Sequence, residues 1–353
     1  MRSFSKHREI GSEFWDVPLA QKKNSVFPET TQWYLSGRSA LQAIISDLKG
    51  CWTVALPSWC CDSMIKPFTD AGYQVRFYPV FWDKSLVQKP RFDCDLLFVM
   101  DYFGFIGDAP ALDDYSGVVI RDMTHSVFTG SRQDADYYFG SLRKWCGVWT
   151  GGYAWAEDGH ALPVCVGDDL GYTALRERAM QMKNCYINRY PDAAGRLVTD
   201  KTYLQLFGEA EEKLEILGPL AAAERDIMLA GFLKEDEIKT RRRENAGVLM
   251  SAFPEWLIFP EMGENDCPLF VPIIVPDGQR DELRGYLIQN EIYCPVHWHV
   301  SNYHKLTDRD RFLYKNELSL VCDQRYGKED MERLTALIRM YREEHIGAHS
   351  FDT

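Results

Sequence analysis

Three short stretches of this chain put reactive residue types where chemistry is possible. In the first, Ser36-Gly37-Arg38-Ser39, a small-residue turn runs straight into the apolar periodicity of a helix. The unpaired N–H groups of a helix's first turn and the positive end of its dipole then face one spot, a ready anion site with serine hydroxyls at hand. Plain N-capping by Ser36 or Ser39 accounts for the same residues. In the second, VVIRDMTH, an apolar strand pattern over 118–120 leads into Asp122, and His125 follows. Such an acid stands at the strand end where ligands of parallel sheets bind, or simply in a turn. The third, Ser141-Leu142-Arg143-Lys144, lies beside Trp145, Val148 and Trp149, with Gly151-Gly152 beyond. A lysine beside another cation among apolar residues loses proton affinity, and its neutral amine attacks carbonyls to form a Schiff base. Taken alone, a surface Arg-Lys pair is the plainer reading.

The order of the three carries more than each does singly. An anion cradle, a strand-end acid and a lysine 22 positions after it are what pyridoxal 5'-phosphate requires. Its aldehyde condenses with lysine and its phosphate takes a helix N-terminus. Its ring draws off electrons only while a buried acid keeps the pyridine nitrogen protonated.

Elements of the right kind surround these residues. Leu41, Ile44, Ile45 and Leu48 fall on one helical face. Residues 62–71 read as a helix stopped by Gly72, with Pro67 tolerable only near its start. Apolar runs at 53–56, 75–78, 96–100 and 118–120 have strand length. Strands alternating with helices predict an α/β fold with a mainly parallel sheet. Residues 201–246 read as long helices broken near Gly218-Pro219. Strand-like runs at 256–259, 269–275 and 292–298, with helices at 279–289 and 328–344, follow as a compact α/β unit. This divides the chain into an N-terminal arm (1–30), a large domain with trailing helices (31–238) and a small domain (239–353).

The net charge of −12, from 52 acidic and 40 basic side chains, argues against a protein built to hold nucleic acid or an anionic membrane. No apolar h-region opens the chain and no run approaches a membrane span, so the ten cysteines are expected reduced in the cytoplasm.

The sequence resembles the DegT/StrS-like sugar aminotransferases, a branch of the fold type I pyridoxal-phosphate enzymes, over nearly its whole length. SGRSALQAII (from Ser36) resembles the family's phosphate-side turn, LPSWCCDSMIKPFTDAGYQVRFYPV (from Leu56) its Pro-Ser/Ala-aromatic segment, and DYFG (from Asp101) a short turn before a helix. VIRDMTHS and YYFGSLRKWCGVWTGG match the acid and lysine segments, while RRRENAGVL, IYCPVHWHV and LSLVCDQRYGKEDMERL resemble the small domain. The resemblance implies a large domain with a mostly parallel seven-stranded sheet between helices, and a small C-terminal α/β domain. It makes Lys144 and Asp122 catalytic, with Asp122 on the pyridine nitrogen and His125 near the ring. Gly37, Arg38, Ser39 and Ser141 would hold the phosphate through backbone and hydroxyl groups, and His297 would face substrate. The ring-stacking aromatic of the family is replaced at the matching position by Cys61, which leaves Trp59 or Tyr102 to cover the cofactor. The implied reaction passes an amino group from glutamate to a keto sugar on a nucleotide, in a homodimer with the active site at its interface. Because some relatives carry histidine for the lysine and act as dehydratases, the intact Lys144 favours transamination. A lyase or dehydratase, or a cofactor-binding regulatory protein with little turnover, are the alternatives.

Cys294-Pro295-Val296-His297-Trp298-His299 would place both histidines on one strand face, but a closed zinc site needs further cysteines in pairs, so no metal is expected. Cys60-Cys61 read as small buried hydrophobes, and Arg241-Arg242-Arg243 as a solvated helix face.

Overall fold

Five apolar runs that cannot face water on either side pair into the centre of one sheet. The computed structural model describes residues 9–50, 52–107, 109–130 and 134–345. In chain order the first half comprises β1 (Ile10–Gly11), β2 (Gln32–Tyr34), α1 (Gly37–Asp47), β3 (Thr53–Pro57), α2 (Asp62–Asp70), β4 (Gln74–Tyr78), the hairpin β5 (Val80–Asp83) and β6 (Ser85–Gln88), β7 (Leu96–Met100), β8 (Val118–Asp122), β9 (Tyr137–Ser141) and β10 (Gly152–Ala156). The second half adds α3 (Tyr172–Asn188), α4 (Tyr203–Lys213), α5 (Glu224–Ala230), α6 (Glu235–Ala252), β11 (Phe270–Ile274), α7 (Arg280–Gln289), β12 (Ile292–Tyr293), α8 (Asp308–Asn316), β13 (Glu317–Val321) and α9 (Lys328–His345).

The main sheet has seven strands in the order β2-β10-β9-β8-β7-β3-β4, as the resemblance implies. Pairing is parallel from β4 through β9, and β10 alone runs against its neighbours. Strand β7, Leu-Leu-Phe-Val-Met, is buried along its whole length, the mark of a central parallel strand covered on both faces. Because β3, β7, β8 and β9 share a direction, Ser58, Asp101, Asp122 and Ser141 stand at one carboxyl edge. Helix α1 presents Ala40, Leu41, Ile44 and Ile45 to the sheet and starts at that edge. Its entry turn lies against Gly152, where a Cβ would run into the Ser36 carbonyl oxygen. Gly152→Ala is therefore expected to cost about 1–3 kcal/mol in urea denaturation; a loss below about 0.5 kcal/mol would mean that the turn yields.

A second core joins Leu249, Trp256, Leu318, Leu334 and Ile338 around the antiparallel pair β11–β13. Three expectations change. Residues 256–259 form a single-turn helix end and one bridge to Ile273 rather than a strand. Strand β12 stops at Tyr293, and the chain from Cys294 to Val300 is irregular. Pro67 sits buried well inside α2 instead of near its start.

Residues 1–8 of the expected arm lie outside the described residues. The segment from Glu9 to Glu13 is held firmly. β1 pairs in parallel with β12, Glu9 forms ion pairs with Lys183 and Lys201, and Arg325 binds the Ser12 and Glu13 carbonyls. Arg242 departs from a solvated face. It is fully buried, stacks 4.4 Å over Trp145 and donates to the carbonyls of Pro268 and Leu269, tying α6 to the turn after β9 and to the segment that leads into β11.

Candidate active site

Strand β8 delivers Asp122 to the carboxyl edge at 1% exposure. Its carboxyl accepts the Thr124 N–H at 2.8 Å. Burial pushes it up to about 6, with Asp101 adding to the rise while the Thr124 bond and the Lys144 charge oppose it. A carboxyl placed so deep, without a cation bonded to it among the described residues, suits a cationic ring nitrogen.

Lys144 ends the short helical turn that follows β9. It is exposed rather than packed among Trp145 and Val148, so the burial that its neighbours suggest is absent. Its amine makes no hydrogen bond or ion pair among the described residues. Arg143 turns the other way and pairs with Glu211. The Lys144 charge acts on Asp122, Cys61, His125, His297 and Glu13, which fixes the neighbourhood that these groups share.

The Ser36–Ser39 turn enters α1 as the sequence predicts, with a different use of its groups. Ser36 Oγ caps α1 by accepting the Ser39 N–H at 3.1 Å, and the two hydroxyls meet at 3.0 Å. Ser39 is thereby engaged inside the cap, so its N–H is not free for a phosphate. The N–H groups of Gly37 and Arg38 remain without partners among the described residues. The Arg38 side chain leaves the site for the Leu214 carbonyl and Glu215. Ser141 packs against Gly37, close enough that a Cβ on the glycine would stand 3.3 Å from Ser141 Cβ.

His125 is buried, accepts the Phe103 N–H through Nδ1 at 3.3 Å and stacks on Trp298 at 5.8 Å. Burial, and then Lys144, hold it well below the ordinary histidine range, so it is neutral. Trp59 and Tyr102 stack on each other at 5.2 Å, both within 1% of full burial, so each spends a ring face on the other. Cys61, half-buried, lies close enough to feel the Lys144 charge.

Lys144 and His297 line one cavity of about 320 Å³, walled also by Arg242, Arg284, Arg325 and Glu13. That size is at the lower end of small-molecule sites. Burial works against ionisation of Glu13, yet Arg176, Arg143, Lys144 and Lys183 together pull it down to about 2. A groove of about 1120 Å³ between α3, α7 and α9 holds none of the residues with this chemistry. His297 is buried and His299 exposed, because the chain has already left β12, so the two do not share a face. Among the described residues no cluster of three or more acids, histidines and cysteines could hold a metal, and no helix is long and apolar enough to cross a membrane.

Sequence reasoning missed Glu13, Trp298 and the partners of His297. Nothing marks Glu13 locally, since tertiary contact alone brings the N-terminal segment to Lys144. Trp298 adopts a φ of +67°, which a sequence does not reveal.

No protein-family model and no curated protein matches the sequence. Solved structures do. The chain is similar to a sugar aminotransferase from Streptococcus pneumoniae in its PMP form, at 13% identity and a TM-score of 0.59 over 95% of this chain and 100% of that one. It is also similar to the Helicobacter pylori aminotransferase of pseudoaminic acid biosynthesis, at 12% identity, a TM-score of 0.59 and coverage of 94% and 100%. For the aminotransferase TlmJ from Streptoalloteichus hindustanus the values are 16%, 0.56, and 90% and 86%. The chain has the fold of these aminotransferases. That is the fold type I architecture, with its seven-stranded, mostly parallel sheet between helices.

Proposed function

We propose that this chain is a pyridoxal-phosphate-dependent aminotransferase that passes an amino group from glutamate to a keto sugar carried on a nucleotide. The carrying observation is the convergence of three unlike groups on one sheet edge. They are the Lys144 amine and the N–H groups of Gly37 and Arg38 beside Ser141, without partners among the described residues, and the buried Asp122 carboxyl. An aldehyde, a ring nitrogen and a phosphate are the groups that these three would take.

When bound, the cofactor supplies an aldehyde that condenses with amines and a ring that draws off electrons. Lys144 Nζ would hold it and then, as a free amine, move the proton between the reacting carbons. Asp122 would keep the ring nitrogen protonated. Gly37, Arg38 and Ser141 would bind the phosphate. The likeness to sugar aminotransferases supports a sugar acceptor. Arg284, exposed at the cavity wall, supports an anionic carrier such as a nucleotide diphosphate, drawn in locally against the negative whole. The exposed lysine needs cover from water, and a second copy of the chain is the cover that the resemblance implies; a purely monomeric species in sedimentation would remove that part.

The glutamate half-reaction tests the function. Protein loaded with pyridoxal phosphate and given glutamate alone is expected to release 2-oxoglutarate and to convert its cofactor to the pyridoxamine form. Cofactor binding with no conversion by glutamate or other amino acids would refute transamination in favour of lyase chemistry or a binding role.

A further inference from the structure

Strand β13 reads Glu-Leu-Ser-Leu-Val, and all five side chains are buried. Its two-residue period puts Glu317 and Ser319 on one face, where they join His297. Ser319 Oγ lies 2.5 Å from Glu317 Oε1 and 2.8 Å from His297 Nδ1, and the His297 backbone N–H donates to Glu317 Oε2 at 3.2 Å. The remaining ring nitrogen, Nε2, has no protein partner among the described residues, and the imidazole lines the Lys144 cavity.

We propose that Glu317, Ser319 and His297 form a proton relay that delivers a proton from His297 Nε2 to an oxygen of the substrate. The inference rests on the aminotransferase reading and supplies something that reading lacks. When a carbonyl condenses with an amine, its oxygen leaves as water and must be protonated. His297 cannot do this as an imidazolium, because burial, with His125 and Lys144 adding to it, holds the ring neutral. Glu317 can stand behind it. Burial pushes its carboxyl up to about 8 against the opposing Ser319 bond, His297 N–H and Arg280 charge, so it keeps a proton at neutral pH. Arg280 directs its guanidinium to the Tyr314 and Glu317 carbonyls, and the nearby Cys294 thiol is held protonated by burial.

The proton count closes. The Nε2–H bond breaks as an O–H bond forms on the departing hydroxyl, which leaves as water with the C–O electron pair. The Ser319 proton passes to Nδ1 and the Glu317 proton passes to Ser319. The imidazole stays neutral and the negative charge rests on Glu317, until solvent returns a proton by the same route. In one state Glu317 donates to Ser319 and Ser319 to Nδ1. In the other Nδ1–H donates to Ser319 and Ser319 to the carboxylate. Both fit the observed distances.

The test tracks the tautomer of His297 in cofactor-free protein by histidine-labelled ¹⁵N NMR, with the signal assigned through a His297 variant. Nε2 is expected to carry the proton below about pH 8 and Nδ1 above it, with the ring neutral throughout. Glu317→Gln, whose amide N–H₂ donates as the protonated acid does, should hold the Nε2–H form across the range. Ser319→Ala should uncouple the ring from Glu317 and slow the keto-sugar half-reaction on the order of 10²-fold. A wild-type tautomer that ignores pH, or a transition that survives unchanged in Glu317→Gln, would overturn the relay. The two proposals fail separately: the glutamate half-reaction without a tautomer change defeats the relay alone, and a tautomer change in a chain that takes no cofactor defeats the aminotransferase reading alone.

Discussion

Lys144→Ala is expected to abolish the visible absorbance of lysine-bound pyridoxal phosphate and to slow amino-group transfer on the order of 10⁴-fold or more. The lysine would serve twice, as the amine that takes the aldehyde and as the base that moves the proton, and no neighbour can replace it. Arg143 pairs with Glu211 and stays protonated. His125 is buried and bonded to Phe103 through Nδ1. The fold should not notice the change, because the Lys144 side chain is exposed and makes no hydrogen bond or ion pair among the described residues. Its unfolding free energy is expected to move by less than about 0.5 kcal/mol. The cradle of Gly37, Arg38 and Ser141 is untouched, so the variant should still bind the cofactor through its phosphate, weakly and without the absorbance band. Absorbance and turnover that persist in Lys144→Ala would remove the lysine from its place.

The sheet is readable because its central strands obey a local rule. A strand covered on both faces must be apolar throughout, and Leu96–Met100 is. Asp122 is readable for the converse reason, as an acid closing an apolar strand, since only a turn or a ligand site tolerates one there. Helix α3 escapes such reading although its buried positions have helical spacing. Two of them are Arg176 and Lys183, whose charges are met by Glu13 and Glu9 from the N-terminal segment. A periodicity search counts those cations as solvent-facing. Arg242 misleads for the same reason. The exposure of Lys144 and the burial of Trp59 depend on which segments arrive from elsewhere in the chain. Ser319 and Glu317 do leave a trace, polar residues alternating with leucines, but the same pattern describes a strand with one wet face. That β13 is covered on both sides is a tertiary fact.

Asp122→Asn separates the stability of the fold from the chemistry that it serves. Asparagine fills the same volume and can accept the Thr124 N–H, but it cannot hold a ring nitrogen in its protonated form. Breaking a buried charge pair costs about 3 kcal/mol or more, so turnover is expected to fall on the order of 10²-fold or more while the cofactor still binds. Stability should move the other way in cofactor-free protein. The folded Asp122 carboxyl sits at about 6, above the ordinary aspartate value of 3.8. A raised carboxyl holds its proton more tightly in the folded chain. Its contribution is fully present below about pH 4 and is lost as pH rises through about 6. Above that range the ionised, buried carboxylate weakens the fold by at most about 3 kcal/mol, and asparagine removes the burden. The empty variant should therefore melt above the empty wild type at pH 8 and match it near pH 4, while added pyridoxal phosphate should raise the wild-type melting temperature more. Thermal melts at the two pH values, with and without cofactor, make the comparison. An Asp122→Asn protein that turns over at the wild-type rate would take the acid out of the site. One that is less stable than wild type at pH 8 without cofactor would show that Asp122 supports the fold rather than burdening it.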